Sequence, residues 1–168
     1  ATILVSINDA EFTPYSEPIV ITGPIKITAY AEASGMKDSD KVTFNYSIAT
    51  IKPIAEVRSY VKGQLALIEG IITHKAGREM YVQDATGAIV LYDFDSEVAN
   101  VGDKVRVGGV MEIYNGLQEL KPDPHFDYSV IEANIGVPPV KIITPEDLTT
   151  ANGESVEAQY VKIENVEI

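Results

Sequence analysis

Between residues 78 and 94 the chain reads REMYVQDATGAIVLYDF, and its polar and aromatic side chains fall on alternate positions. Tyr81 and Gln83 share one face of the first half, Met80 and Val82 the other. Beyond the DATG turn, Val90 and Tyr92 alternate with Ile89 and Leu91. With the Met80 and Ile89 faces turned into a core, Tyr81, Gln83 and Tyr92 are displayed outward. Outward tyrosines stack nucleic-acid bases, at about 1–3 kcal/mol each, and they stack sugar rings too. Lys75 and Arg78, just upstream, would supply phosphate contacts. These five residues form the candidate ligand-binding set. Tyrosine is also an ordinary strand residue, so Tyr81 and Tyr92 equally fit a plain sheet surface or a contact with a neighbouring domain. Asp84 and Gly87 occupy the first and fourth positions of a type I turn, with a positive φ expected at the glycine. Turn chemistry accounts for both without a site.

The other chemistry-bearing residues are sparse. Asp93, Asp95 and Glu97 alternate as in a calcium loop, but such loops need more ligands and a glycine turn. The stretch Asp123-Pro124-His125-Phe126-Asp127 is short and broken by proline. Both read as solvated loops, and His74 reads as a strand-end residue. There is no cysteine and there are two histidines, His74 and His125, which removes disulfides, thiolate sites and multi-histidine metal centres. No Gly-x-Ser-x-Gly, phosphate loop or histidine with paired carboxylates is present. The chain is therefore expected to be non-catalytic, with no metal and no cofactor.

Charge bears on the ligand. The net charge of the 168 residues is −12, whereas a binder of the phosphate backbone wants a basic face. Residues 1–53 carry a net −2, residues 54–122 a net −3 and residues 123–168 a net −7. The acidity sits mostly at the C-terminal end. A nucleic-acid ligand would need Lys62, Lys75, Arg78, Lys104 and Arg106 to gather on one side. No run of about 18 apolar residues marks a membrane span, and no basic start followed by an apolar stretch marks a signal peptide. The chain reads as a piece cut from a longer protein, without membrane insertion and as a monomer, partnered by other domains of the same polypeptide.

The elements that must position these residues are strands. ILVSI, PIVITG, KITAYAEA and KVTFNYSI have period two and are separated by turn residues, so residues 1–48 predict about four antiparallel strands, a small sandwich or part of one. In PIKITAYAEASG, Ile25, Ile27 and Ala29 point one way and Lys26, Thr28 and Tyr30 the other. Residues 49–61, ATIKPIAEVRSYV, read as a linker ending in a short helix, with Pro53 at its start and Ile54, Val57 and Val61 on one face. From residue 62 onward there are two long strands with internal glycines, Gly70 in the first and Gly108-Gly109 in the second. Such glycines mark bends or close backbone approaches. Asn115-Gly116 marks a hairpin. A small, strongly coiled five-stranded Greek-key barrel over 62–168 follows, with space for at most one helical turn in SEVANVGD. Thr144, Pro145 and Asp147 predict a capped turn. The final strand, YVKIENVEI, belongs either to the barrel or to a following module. The fold class is all-β: an immunoglobulin-like sandwich, incomplete, then the barrel.

Two resemblances rest on ordered motifs. YVQDATGAIVLYDF, VGDKVRVGGVMEIYNGLQELKP and YVKIENVEI, in that order over 54–168, resemble the OB-fold domains of bacterial extracellular nucleases and related secreted multidomain proteins. YSEPIVITGPIKITAYAEASGMKDSDKVTFNYSI, residues 15–48, is similar to the immunoglobulin-like C-terminal domain of chitobiase and hexosaminidase-type enzymes, although the upstream turn VSINDAEFTPYSEP is shorter and lacks the glycine of that family. The resemblances imply an extracellular or cell-surface bacterial setting. In OB folds the second and third strands carry the ligand face, which gives two functional expectations. One is a non-catalytic module binding oligonucleotide or oligosaccharide; the other is a structural spacer or protein-interaction module.

Overall fold

The structure is a computed structural model, and it describes residues 1–149, 152–164 and 166. The chain divides into two compact units, Ala1–Ala49 and Thr50–Ile168.

The first unit contains β1 (Thr2–Ile7), β2 (Thr13–Pro14), β3 (Ile25–Glu32) and β4 (Val42–Tyr46). They form one antiparallel sheet in the order β2-β1-β3-β4. Asn8 and Asp9, both with positive φ, turn the chain out of β1. The register sorts the side chains cleanly. Leu4 lies opposite Tyr30 and Ser6 opposite Thr28 on one face, where Phe12 meets the Tyr30 ring edge-on at 5.0 Å and the Lys41 ammonium lies 4.5 Å from the Phe12 ring centre. The other face is mostly apolar: Ile3 opposite Ala31, Val5 opposite Ala29, Ile7 opposite Ile27, and then Val42, Phe44 and Tyr46 along β4, with Thr13 of β2 beside Val5. The expected strands are thus present as one layer, with no second sheet among the described residues of this unit to face them.

The second unit opens with α1 (Ile54–Val57), followed by β5 (Leu65–Ala76), β6 (Glu79–Gln83), β7 (Ala88–Tyr92), β8 (Lys104–Tyr114) and β9 (Leu117–Lys121). Pairing runs β5 to β6, β6 to β7, β7 to β9, β9 to β8 and β8 back to β5, with the β7–β9 pair parallel. Five strands therefore close on themselves in the Greek-key connectivity of an OB barrel. The inward residues obey period two: Met80, Val82, Ile89 and Leu91 are buried with Ile68, Ile72, Val105, Val107, Met111 and Leu120. β8 changes partners along its length, pairing through Lys104–Val107 with β10 (Tyr128–Glu132) and through Val110–Tyr114 with β9. Gly108 and Gly109 sit at the change. A Cβ on Gly109 would collide with the Lys121 carbonyl, and one on Gly108 with the Phe126 ring.

The short helix expected at the end of residues 49–61 is α1. Ile54 and Val57 have no exposed surface and belong to the barrel core. The helix arrives before the first barrel strand, and the stretch 95–103 between β7 and β8 contains only turns.

After β10 come β11 (Lys141–Ile143), two short 3₁₀ turns at Pro145–Leu148 and Gly153–Ser155, and β12 (Val161–Ile163). Asp147 accepts from the Thr144 backbone N–H at 2.8 Å and from its hydroxyl at 3.1 Å. β12 pairs in parallel with β11 in a sheet of its own, so the final strand is not a barrel strand. The expected continuation through residues 165, 167 and 168 lies outside the described residues. Among the described residues no helix is long and apolar enough to cross a membrane.

Candidate functional site

The β6–β7 hairpin positions the candidate residues. Its register sets Glu79 opposite Tyr92, Tyr81 opposite Val90 and Gln83 opposite Ala88, so Tyr81, Gln83 and Tyr92 do leave the barrel on one outward face. That face is only partly open. Val90 has no exposed surface, Ala88 has 1 % and Gln83 has 9 %.

The Gln83 end is closed by the C-terminal segment. Gln83 Oε1 accepts the Tyr160 backbone N–H at 2.7 Å, so the expectation that Gln83 contacts a ligand is corrected: its amide oxygen holds the chain's own backbone. Arg58 anchors the same segment. Its guanidinium donates to the Ala88 carbonyl at 3.1 Å, to the Glu154 carbonyl at 3.3 Å and to the Glu154 and Glu157 carboxylates at 3.0 and 2.8 Å. Sequence reasoning missed Arg58, because nothing local distinguishes it from any other surface arginine.

Lys75 also needs correction. Its ammonium donates to the carbonyls of Ser96 at 2.6 Å and Ala99 at 2.8 Å. It pins the β7–β8 connection and is not offered to a phosphate.

At the far end, two cations approach the Tyr92 ring. The Arg78 guanidinium is 5.0 Å from the ring centre and the Lys121 ammonium 5.2 Å, within the range of cation–π attraction. Arg78 Nε donates to Asp93 at 2.8 Å, and this pairing holds the Asp93 carboxyl below its usual range. The structure therefore brings Arg78 and Tyr92 together, and Lys121 joins them from β9.

Tyr81 lies on the same face with acidic company. Its hydroxyl donates to Glu79 at 2.9 Å; burial, then the Glu79 hydrogen bond, raises its pKa. Glu119, directly across from Val90, is 3 % exposed. Burial raises its pKa, Lys121 opposes that, and Glu79 and Glu112 add to it.

The basic residues do not form a free stripe. Lys62 pairs with Glu112, Arg78 with Asp93, Lys104 with Glu69 and Glu132, and Arg106 with Glu69. Exposed pairs of this kind stabilise little, but each cancels a charge that a phosphate would need. The acidic loops are turns: Asp95 caps the Glu97 N–H at 3.0 Å, and Asp123 accepts from the His125 backbone at 2.9 Å and its ring at 2.7 Å. Among the described residues no group of three or more His, Cys, Asp or Glu could hold a metal ion.

Beside Tyr81 lies a cleft of about 570 Å³ between the outer surface of β5–β6 and the C-terminal segment, lined by Thr73, His74 and Tyr81 on one side and by Leu148, Gly153 and residues 156–161 on the other. The His74 and Tyr81 rings meet there at 5.7 Å, inclined by 51°.

No family model matches the chain, and no curated protein matches it. Among solved structures it is similar to a murine DNA-binding protein bound to double-stranded DNA, with a TM-score of 0.44 and 15 % identity, over 66 % of this chain and 71 % of that one. At that TM-score the likeness decides nothing about what this chain binds.

Proposed function

We propose that this chain is a non-catalytic binding module of a larger secreted bacterial protein, and that its barrel holds an uncharged oligosaccharide along the outward face of β6 and β7. The observation that carries this reading is the surface around Tyr92. A partly exposed aromatic ring lies on β7, while Lys62, Lys75, Arg78, Lys104 and Arg106 already meet carboxylates or carbonyls, which leaves Lys121 as the one cation at the ring without a carboxylate partner among the described residues. A sugar ring stacks its C–H face on tyrosine and needs no net positive charge. The secreted, multidomain setting is supported by the two ordered sequence resemblances.

A second reading, a spacer or protein-interaction module without polymer ligand, is favoured by the C-terminal segment clamped over the Gln83 end of the same face.

Affinity electrophoresis of the whole chain through gels containing neutral polysaccharides, with fluorescence anisotropy on single-stranded DNA at low salt, tests both. Retardation that Tyr92→Ala abolishes is expected, with no DNA binding at tens of micromolar. DNA binding would overturn the choice of ligand. Absence of both would leave the spacer reading.

A further inference from the structure

The cleft beside Tyr81 has a construction that the outward face alone does not explain. We propose that it is a subsite for a single uncharged pyranose ring, the end residue of the oligosaccharide; this rests on the carbohydrate reading above. Its volume, about 570 Å³, lies within the ~300–1,000 Å³ of small-molecule sites.

One wall is aromatic. His74 and Tyr81 are directly paired across β5 and β6, and their rings stand together at 5.7 Å. The bulge between Ile72 and His74 makes this possible: one extra residue in β5 shifts the alternation and turns His74 outward onto the Tyr81 ring. The opposing wall brings Tyr160, 40 % exposed, and apolar surface from Val156 and Leu148. A pyranose presents C–H faces to such walls and hydroxyls around its rim.

Partners for the hydroxyls are at hand. The Gln159 amide nitrogen is committed to the Ser155 carbonyl at 2.7 Å, which orients its oxygen as an acceptor. One Glu157 oxygen receives Arg58 at 2.8 Å, and its other oxygen retains acceptor capacity. The same residues choose the class of ligand. No lysine or arginine lines the cleft, whereas Glu157 does, and Glu79 sits on the Tyr81 hydroxyl. A phosphate or carboxylate would find no lysine or arginine among the described lining residues to pair with, because Arg58 is already engaged by Glu154 and Glu157 behind the wall.

The second wall is held in place. Gln83 fixes the Tyr160 backbone from the barrel side, and Arg58 fixes Glu154 and Glu157. The burial of Gln83, which removed it as a ligand contact, thus sets the position of one that takes its place.

The test uses the whole chain, labelled with ¹⁵N and titrated with methyl glycosides of neutral hexoses and with their short oligomers. Expected are chemical-shift changes at His74, Tyr81 and residues 157–161 with the monosaccharide alone. Tyr160→Ala is expected to weaken binding about tenfold, the scale of one lost stacking contact. Tyr160→Phe, which keeps the ring, monitors the wall: it should bind within about threefold of the parent with an unchanged melting temperature. Shifts confined to the Tyr92 end, with Tyr160→Ala binding normally, would overturn the cleft and leave the carbohydrate reading standing. Absence of shifts with every glycoside and oligomer would overturn both.

Discussion

Oδ2 of Asp84 accepts the backbone N–H of Ile54 at 2.9 Å, thirty positions away in sequence. Helix α1 begins at a proline that offers no capping side chain, and the hairpin turn supplies the cap. Thr86 adds its hydroxyl to the Ala55 N–H at 3.1 Å. Within the turn, Asp84 Oδ1 accepts from the Thr86 N–H, the Thr86 hydroxyl and the Gly87 N–H at 2.6, 2.6 and 2.9 Å. Gly87 is not in the left-handed region, contrary to the expectation for this turn; its hydrogen side chain faces the Ala55 backbone instead.

Asp84→Ala removes the turn and the cap together. It is expected to cost about 2–3 kcal/mol in urea unfolding, against about 1 kcal/mol for Thr86→Ala. The double variant should lose less than the sum, because the two side chains share one network.

Arg58→Met leaves Glu157 without its cation. A stability loss of about 2 kcal/mol is expected, with faster amide hydrogen exchange in residues 153–161 than in β5–β9. Equal acceleration throughout the barrel would contradict the view that Arg58 latches the C-terminal segment.

The two glycines of β8 differ in what they face. Gly109→Ala drives a methyl group into the Lys121 backbone carbonyl, and Gly108→Ala drives one into Cβ, Cγ and Cδ1 of Phe126, the anchored root of that side chain. Thermal unfolding should show a loss of about 3 kcal/mol for either substitution.

The carboxylates of the barrel have opposed pH signatures. Glu119 has a raised pKa from burial, so the native state holds its proton more tightly than the unfolded chain. Its contribution is present below the unfolded value and is lost as pH rises through the folded one. Glu119→Gln should therefore raise the melting temperature at pH 7, with the gain shrinking toward pH 4. Asp103 has a lowered pKa, held down first by the Asn100 backbone and then by that of Asn134. Asp103→Asn should cost stability at neutral pH, and the cost should fade as pH drops through the carboxylate range.

Tyr128 is half-buried against Phe94, and that burial pushes its phenol up to about 12. In a spectrophotometric titration it should ionise among the last of the nine tyrosines. Its hydroxyl meets only the Met80 sulfur at 3.6 Å, so Tyr128→Phe should cost less than about 1 kcal/mol.

Much of the barrel was readable because its information is local. Alternation at Met80, Val82, Ile89 and Leu91 names the inward face, and Gly108-Gly109 mark the bend. Alternation also says which side chains leave a strand, but not what waits for them. Gln83 and Tyr81 have the same parity, yet one meets the Tyr160 backbone 77 positions on and the other borders a cleft. Arg58 finds carboxylates 96 and 99 positions away. Lys75 ends on two carbonyls, groups that every residue carries and that leave no mark in a sequence. Helix α1 was legible from Pro53 and the spacing of Ile54 and Val57, but four residues say nothing of the barrel core that their apolar face enters.

The apolar face of the first unit governs how copies of this chain behave toward one another. Phe44 and Val42 are each 51 % exposed, Ile3 is 52 %, and β4, which carries two of them, is an edge strand. Such an edge is sticky both sideways and face-on. The net charge of −12 opposes such association by repulsion. Added salt, which screens that repulsion within about 8 Å at physiological strength, and acid near the isoelectric point of about 4.5 act on the same balance. Turbidity at high concentration should rise with either one, long before the barrel unfolds.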